Sequence, residues 1–289
     1  MKSGYSSEQR SGLALVSAPF LYAVLLLAVP VAAIVMFSFW SQSYLDLDTT
    51  LTLKNYREAA ADPIYGQLLA RSLWISLVVT VITVVTAFPI AYFISFHVAP
   101  GHKSLWIFLV TIPFWTSYLI RVFLWKVILG YNGVLNSGLL GIGVIDAPLT
   151  FILYNLNAVV ITLAHAFAPF AILPIFVSLE RIDRSLLEAA LDLGETKVSA
   201  FLRVTLPLAM PGIVAAVLIV FIPTIGDYVT PRLVGGPGGL MIANMIQTQF
   251  LKLNNAPMGA ALAVIAMIMV TVVATAFVLL NRRFLKGRS

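Results

Sequence analysis

The feature that most restricts this chain is a recurrence of long apolar blocks that hold almost no charge. About 20 helical residues, rising 1.5 Å each, cross the hydrocarbon core of a bilayer. Six blocks of that order recur: Leu13 to Trp40, Ser72 to Phe96, Ser104 to Leu129, Leu156 to Leu179, Leu208 to Gly226 and Met258 to Leu280. Lipid offers peptide groups no hydrogen-bond partner, so each block must close its backbone bonds internally, as a helix. Composition agrees, since hydrophobic residues make up 60% and charged residues 10% of the chain, whereas soluble domains carry about 25% charge. The expected fold class is an all-α membrane protein, with residues 1–289 forming one domain of bundled spans. Proline stands inside most blocks (Pro30, Pro89, Pro113, Pro169, Pro174, Pro211 and Pro223), so bends are expected where it removes a helical donor.

The chain has 18 Lys and Arg against 12 Asp and Glu, a formal charge of +6. In a soluble protein that excess would raise nucleic acid as a partner, but in a membrane chain it marks cytoplasmic segments, and no nucleic acid is expected. With both termini inside, Lys2, Arg10, Lys103, Arg181, Arg184, Lys197, Arg203, Arg282, Arg283, Lys286 and Arg288 fall on inner segments. Lys54, Arg57, Arg71, Arg121, Lys126, Arg232 and Lys252 fall on the other side, eleven against seven, which predicts an N-in, C-in orientation. The first block exceeds the roughly 7 to 15 apolar residues of a signal peptide and reads as a retained span. The chain has no cysteine, which excludes disulfides, thiolate chemistry and cysteine-ligated metal.

Two segments on the outer side have structure of their own. Ser41 to Arg71 contains Lys54-Asn55-Tyr56-Arg57-Glu58-Ala59-Ala60, a short surface helix ended before Pro63. Asp227 to Pro257 contains Gly235-Gly236-Pro237-Gly238-Gly239, a flexible turn beside a short apolar helix near Met241 to Leu251. These glycines are not a phosphate loop, because no Gly-Lys-Ser or Gly-Lys-Thr follows them.

Residues 180–207, on the expected cytoplasmic side, are punctuated as short helices. Ser185 with Glu188 reads as a capping box, a helix runs through Leu193, and Gly194 suits a left-handed C-terminal cap. Leu186, Leu187, Ala190, Leu191 and Leu193 give that helix an apolar face, with Glu188, Asp192 and Glu195 polar. Thr196 starts a second short helix ending near Pro207.

Glu188-Ala189-Ala190, then Gly194, then Val204-Thr205-Leu206-Pro207 resembles the EAA loop of the inner-membrane permeases of ABC importers, with Val204 where the family has Ile. The resemblance implies the type I importer permease fold of six spans, and a loop that docks on a separate ATPase through Leu186, Leu187, Glu188, Ala189, Ala190, Gly194, Leu206 and Pro207. It covers essentially the whole chain and is nearest to permeases of spermidine/putrescine importers. It rests further on Pro113-Phe114-Trp115-Thr116-Ser117-Tyr118-Leu119-Ile120-Arg121, Gly133-Val134-Leu135-Asn136, and Gly226-Asp227-Tyr228-Val229-Thr230-Pro231-Arg232-Leu233-Val234-Gly235-Gly236. Permeases for opines, amino acids and other small organic solutes share similar segments and stay open as alternatives. By the same resemblance the chain is a non-catalytic subunit of a multi-pass complex in the bacterial inner membrane. Its partners would be a homologous, non-identical permease, two ATPase subunits that hold ATP and Mg, and a periplasmic or lipid-anchored binding protein.

Trp115, Tyr118, Val122 and Trp125 fall at helical spacing and predict an aromatic stripe on the third span, able to meet an alkylammonium by cation–π attraction. Trp125 is equally a residue of the interfacial aromatic belt. Asp227 is placed either to meet a cation or to pair with Arg121, and Trp115, Tyr118, Arg121, Asp227 and Tyr228 are the candidate pathway residues. His165 reads as an interhelical hydrogen-bond donor rather than a proton relay. A gradient-driven transporter is disfavoured because no Asp or Glu falls mid-span, and an intramembrane enzyme because no cluster of catalytic groups is present.

Overall fold

A computed structural model of the chain describes residues 7–44 and 46–285. Lys2, Lys286 and Arg288 of the charge count lie outside the described residues, as does the side chain of Arg10. The chain begins with α1 (Ser7–Ser38), followed by a two-strand antiparallel hairpin of β1 (Ser41–Ser43) and β2 (Asp46–Asp48) in which Ser41 faces Asp48. Next come α2 (Lys54–Ala61), α3 (Pro63–Phe96), α4 (Pro100–Thr111), α5 (Tyr118–Ile128), α6 (Val134–Gly141) and α7 (Leu156–Glu180). The remainder holds α8 (Ser185–Asp192), α9 (Lys197–Ala200), α10 (Leu206–Ile225), α11 (Val229–Val234), α12 (Ile242–Leu251), α13 (Ala256–Leu280) and α14 (Arg282–Leu285).

Among the described residues five helical stretches are long and apolar enough to cross a membrane, and a bent pair makes the count six. Three differ from the sequence expectation. The second span begins at Pro63 rather than Ser72, because Asp62 accepts the Ile64 amide at 2.9 Å and Pro63 needs no donor in a first turn. The third is broken: α4 passes into a 3₁₀ turn (Ile112–Trp115), Thr116 and Ser117 are extended, and α5 leaves at 86°. The fifth does not start afresh at Pro207. Proline cannot donate to the preceding turn, and the chain widens to a π turn (Phe201–Thr205) that carries α9 into α10.

The centre of the bundle is made by α3, α7 and α10. A Cβ on Gly212 of α10 would overlap the Pro174 carbonyl oxygen of α7, so glycine lets these helices touch at backbone distance. Buried hydroxyls of this layer turn back on their own helices: Thr80 donates to the Ser76 carbonyl, Thr83 to Val79 and Thr224 to Val220, each at 2.6 Å. Around them Val79, Leu163, Ile175 and Val220 are fully enclosed. By contrast α1 lies against α13 on the periphery with Leu15, Phe20, Leu25 and Leu27 exposed, the pattern of a helix bathed in acyl chains.

The end of the bundle opposite α8 is laced by polar contacts. Asn55 of α2 donates to the carbonyls of Ser38 (3.1 Å) and Trp40 (2.7 Å), so α2, which stops before Pro63 as expected, is an anchored wedge with Asn55 and Ala59 buried. Arg71 donates to the carbonyls of Gly238 (2.8 Å) and Leu240 (3.1 Å), pinning the glycine-rich turn to α3.

Candidate functional site

Two sites emerge, toward opposite ends of the bundle. At the first, α8 packs beside α9 and the π turn that leads into α10, and Arg184 just before it is bonded to the end of α3. The expected capping box is not formed: Ser185 is already inside the helix, and the Asp183 carboxylate accepts the Ser185 amide at 3.0 Å. That bond holds the Asp183 carboxyl below its usual range. The other end follows expectation. Gly194 is left-handed at φ +87, the Glu195 amide reaches back to the Ala190 carbonyl (3.1 Å) and the Gly194 amide to Leu191 (2.9 Å), which together make a Schellman stop. Thr196 caps α9 by accepting the Ser199 amide at 3.2 Å. Glu195 is ion-paired with Arg203 at 2.6 Å and held below the usual carboxylate range, first by the Ser199 hydroxyl.

The apolar residues of α8 divide. Leu187 and Ala190 are half-buried, and Leu187 packs on the bundle core. Leu186, Leu191 and Leu193 point away from the bundle and stand 47%, 44% and 86% exposed beside the exposed Glu188, Ala189 and Gly194. Leu206 and Pro207 are half-buried in the first turn of α10. The free surface is thus a compact patch of leucine and alanine with a carboxylate at its rim.

The second site is a cavity of ≈ 330 Å³ where the break in the third span meets α7 and the end of α10. Phe114, Tyr118, Phe167 and Phe170 form its walls, with Arg121 and Asp227 at its polar edge. Phe114 meets Phe170 edge-on with ring centroids 5.0 Å apart. Asp227 is nearly buried; its Oδ2 accepts the Tyr118 hydroxyl at 2.6 Å and its Oδ1 accepts the Val229 amide at 2.9 Å, fixing the start of α11. The Tyr118 oxygen also lies 2.7 Å from the Thr230 hydroxyl.

Arg121 and Asp227 share this cavity without an ion pair. The Arg121 guanidinium instead donates to the Thr116 carbonyl at 3.2 Å and the Ala166 carbonyl at 3.3 Å. The Thr116 carbonyl is one left open by the helix break, the Ala166 carbonyl belongs to the continuous α7, and the Nε of Arg121 is buried with no hydrogen-bond partner. Of the expected stripe, Tyr118, Val122 and Trp125 share one face of α5, but Trp115 belongs to the 3₁₀ turn before the break. It stands 77% exposed against Phe108, outside the cavity wall. Trp125 is half-buried and donates to His165 Nδ1 at 3.1 Å, so His165 is an interhelical acceptor, not the donor expected. Tyr228 is partly exposed and offers its carbonyl to Asn244 at 2.7 Å. Phe114, Phe167 and Phe170 were absent from the expected set; the Phe167 and Phe170 spacing of three residues on α7 was the available signal.

Comparison with known proteins supplies the wider frame. Residues 10–286 match the profile of the family described as binding-protein-dependent transport system inner membrane component. The spermidine/putrescine transport system permease protein PotB of Escherichia coli is 40% identical over 213 residues, 74% of this chain and 76% of that one. The PotB protein of Haemophilus influenzae is 39% identical over 237 residues, 81% and 82% of the two chains. Among solved structures, a chain of a bacterial alginate ABC transporter in complex with an alginate-loaded periplasmic protein superposes with a TM-score of 0.71 at 17% identity, covering 95% of this chain and 94% of that one. A chain of the inward-facing MetNI methionine ABC transporter gives 0.58 at 19% identity, covering 78% and 99%. At such identities the likeness is one of fold.

Proposed function

The chain belongs to the family of binding-protein-dependent transport system inner membrane components, and from that premise we propose that it is the membrane-spanning permease of an ATP-driven polyamine importer. The observation that carries the substrate class is the 40% identity to a spermidine/putrescine permease across three quarters of both chains. The fold is that of a type I importer permease, and the chain is a multi-pass component of the inner membrane. In this reading the α8 end and both termini lie in the cytoplasm, and ATP with its Mg is bound and hydrolysed by two separate ATPase subunits. A second, homologous permease completes the pathway, and a periplasmic or lipid-anchored binding protein delivers solute at the end bearing α2, α11 and α12.

The two sites divide the labour. The exposed Leu186, Leu191 and Leu193 fill a groove on the ATPase while Glu188 meets basic residues at its rim, the usual way a short amphipathic helix docks. At the other site a protonated amine sits beside the Asp227 carboxylate and against the aromatic faces of the cavity, where cation–π attraction contributes about 0.5 to 2 kcal/mol. The fixed positive charge of Arg121 in the same cavity opposes deep binding. That suits a passage, since a transport site must release what it admits.

The test is uptake by proteoliposomes holding the whole importer and its cognate binding protein, with spermidine, putrescine, an opine and an amino acid in competition. Polyamines are expected to enter and to stimulate ATP hydrolysis. Uptake driven by the opine or the amino acid, with polyamines inert, would replace the substrate and leave the architecture standing.

A further inference from the structure

The ATPase-facing helix α8 is attached to the bundle at particular points, and these attachments converge on α3. Arg184, the residue immediately before α8, donates to the Ser95 carbonyl at 2.6 Å and the Phe96 carbonyl at 3.4 Å, and its guanidinium lies 4.6 Å from the centre of the Phe96 ring. Ser95 and Phe96 are the last two residues of α3. Their carbonyls are among those a helix leaves unpaired, at the negative end of its dipole, so a guanidinium bound there is held by charge as well as by geometry. Four residues earlier, Glu180 accepts both the Ser95 hydroxyl (2.6 Å) and the Lys103 ammonium of α4 (2.7 Å), which fixes the start of the same connection. On the far flank of α8, Phe201 stands edge-on to Phe88 and Tyr92 of α3, with centroids 5.7 and 5.8 Å away.

At its opposite end α3 carries Arg71, bonded to the glycine-rich turn, and Ser72, whose hydroxyl accepts the Ile242 amide at 2.8 Å and so holds the first turn of α12. One uninterrupted helix therefore runs from the mounting of α8 to the segments on the opposite end of the bundle.

We infer that Arg184 is a positioning residue that joins α8 to α3, so that displacement of α8 by the ATPase is delivered along α3 to the glycine-rich turn and α12. The inference rests on the proposed importer, and its test separates the two. In proteoliposomes with the full complex, the native protein must hydrolyse ATP and take up spermidine; if it does not, the importer reading fails whatever Arg184 does. Given native uptake, Arg184→Ala is expected to keep the ATPase bound and hydrolysing while spermidine moved per ATP falls at least about fivefold, and Arg184→Lys to recover part of that ratio. Leu186→Asp, placed on the docking patch, should lose the ATPase from the purified complex instead. An unchanged ratio in Arg184→Ala, or loss of the ATPase as in Leu186→Asp, overturns the joint. Should the alanine variant fail to fold, the lysine variant decides alone: a lowered ratio supports the inference and a native ratio overturns it.

Discussion

The hydroxyl of Tyr118 donates to the carboxylate of Asp227 across 2.6 Å, joining the helix that follows the break in the third span to the start of α11. One oxygen of that carboxylate is committed to the tyrosine and the other to the Val229 amide, so Asp227 is a structural cap as well as a charge facing the cavity. Removing the tyrosine hydroxyl leaves a nearly buried acceptor under-satisfied. Tyr118→Phe is therefore expected to lower thermal stability by about 1 to 3 kcal/mol, read by unfolding of the detergent-purified complex. Asp227→Asn keeps an acceptor for Val229 but loses the charge, so it should weaken the apparent affinity of uptake about tenfold with a smaller loss of stability. Equal affinity in the asparagine variant would remove Asp227 from the solute path.

At α8 the stop is more exacting than the start. Gly194 occupies a left-handed conformation that a Cβ makes unfavourable by about 1 to 2 kcal/mol. Gly194→Ala should misalign the end of α8 and reduce ATP hydrolysis stimulated by loaded binding protein, whereas Gly194→Asn, better tolerated there, should lie between it and the native protein. Parallel ATPase assays of the three complexes check the order.

Asp183 supplies the start of α8, and the pH sign follows from its shift. Its folded pKa is depressed, so whatever the cap contributes is fully present above the ordinary aspartate value of about 3.9 and lost only as pH falls through the lower folded value. Docking of the ATPase should thus be insensitive to Asp183 ionisation between about pH 5 and 8. Asp183→Asn, which still presents an oxygen to the Ser185 amide, should bind the ATPase as the native chain does, and Asp183→Ala more weakly; affinity measurements across that range test both.

Within the bundle, Gly212 of α10 lies so close to α7 that a Cβ there would overlap the Pro174 carbonyl oxygen and the Ser178 side chain. Gly212→Val forces these helices apart and should lower stability by about 1 to 3 kcal/mol or more, with loss of the complex from membranes on heating. A native melting temperature would show that the contact has room to spare.

The six-span plan and the loop of residues 180–207 were legible because both depend on local signals: apolar length, a left-handed glycine and Thr196 at a helix start. What misled was competition between equally good local signals. Asp183 and Ser185 are both cap formers two positions apart, and only the packed geometry selects the carboxylate. The true start of the second span was marked by Asp62-Pro63 but masked by the polar Gln67 and Arg71, whose partner, the glycine-rich turn, is far away in sequence. The cavity was half legible. Tyr118, Arg121 and Asp227 could be named one by one, yet the extended Thr116 and Ser117 move Trp115 out of their company and bring Phe114 and the α7 phenylalanines in. An ion pair between Arg121 and Asp227 was a reasonable expectation from charge alone, and it lost to two carbonyls, that of Thr116 at the break of the third span and that of Ala166 within α7.

The wide turn at Phe201–Thr205 makes the segment from Lys197 to Ile225 a single shaft. The shaft links the α8 end of the bundle to the second site, where Pro223 forms part of the cavity wall. The spare residue stored in that turn also gives the shaft a place to change pitch, by tightening one turn, without breaking its hydrogen-bonded thread.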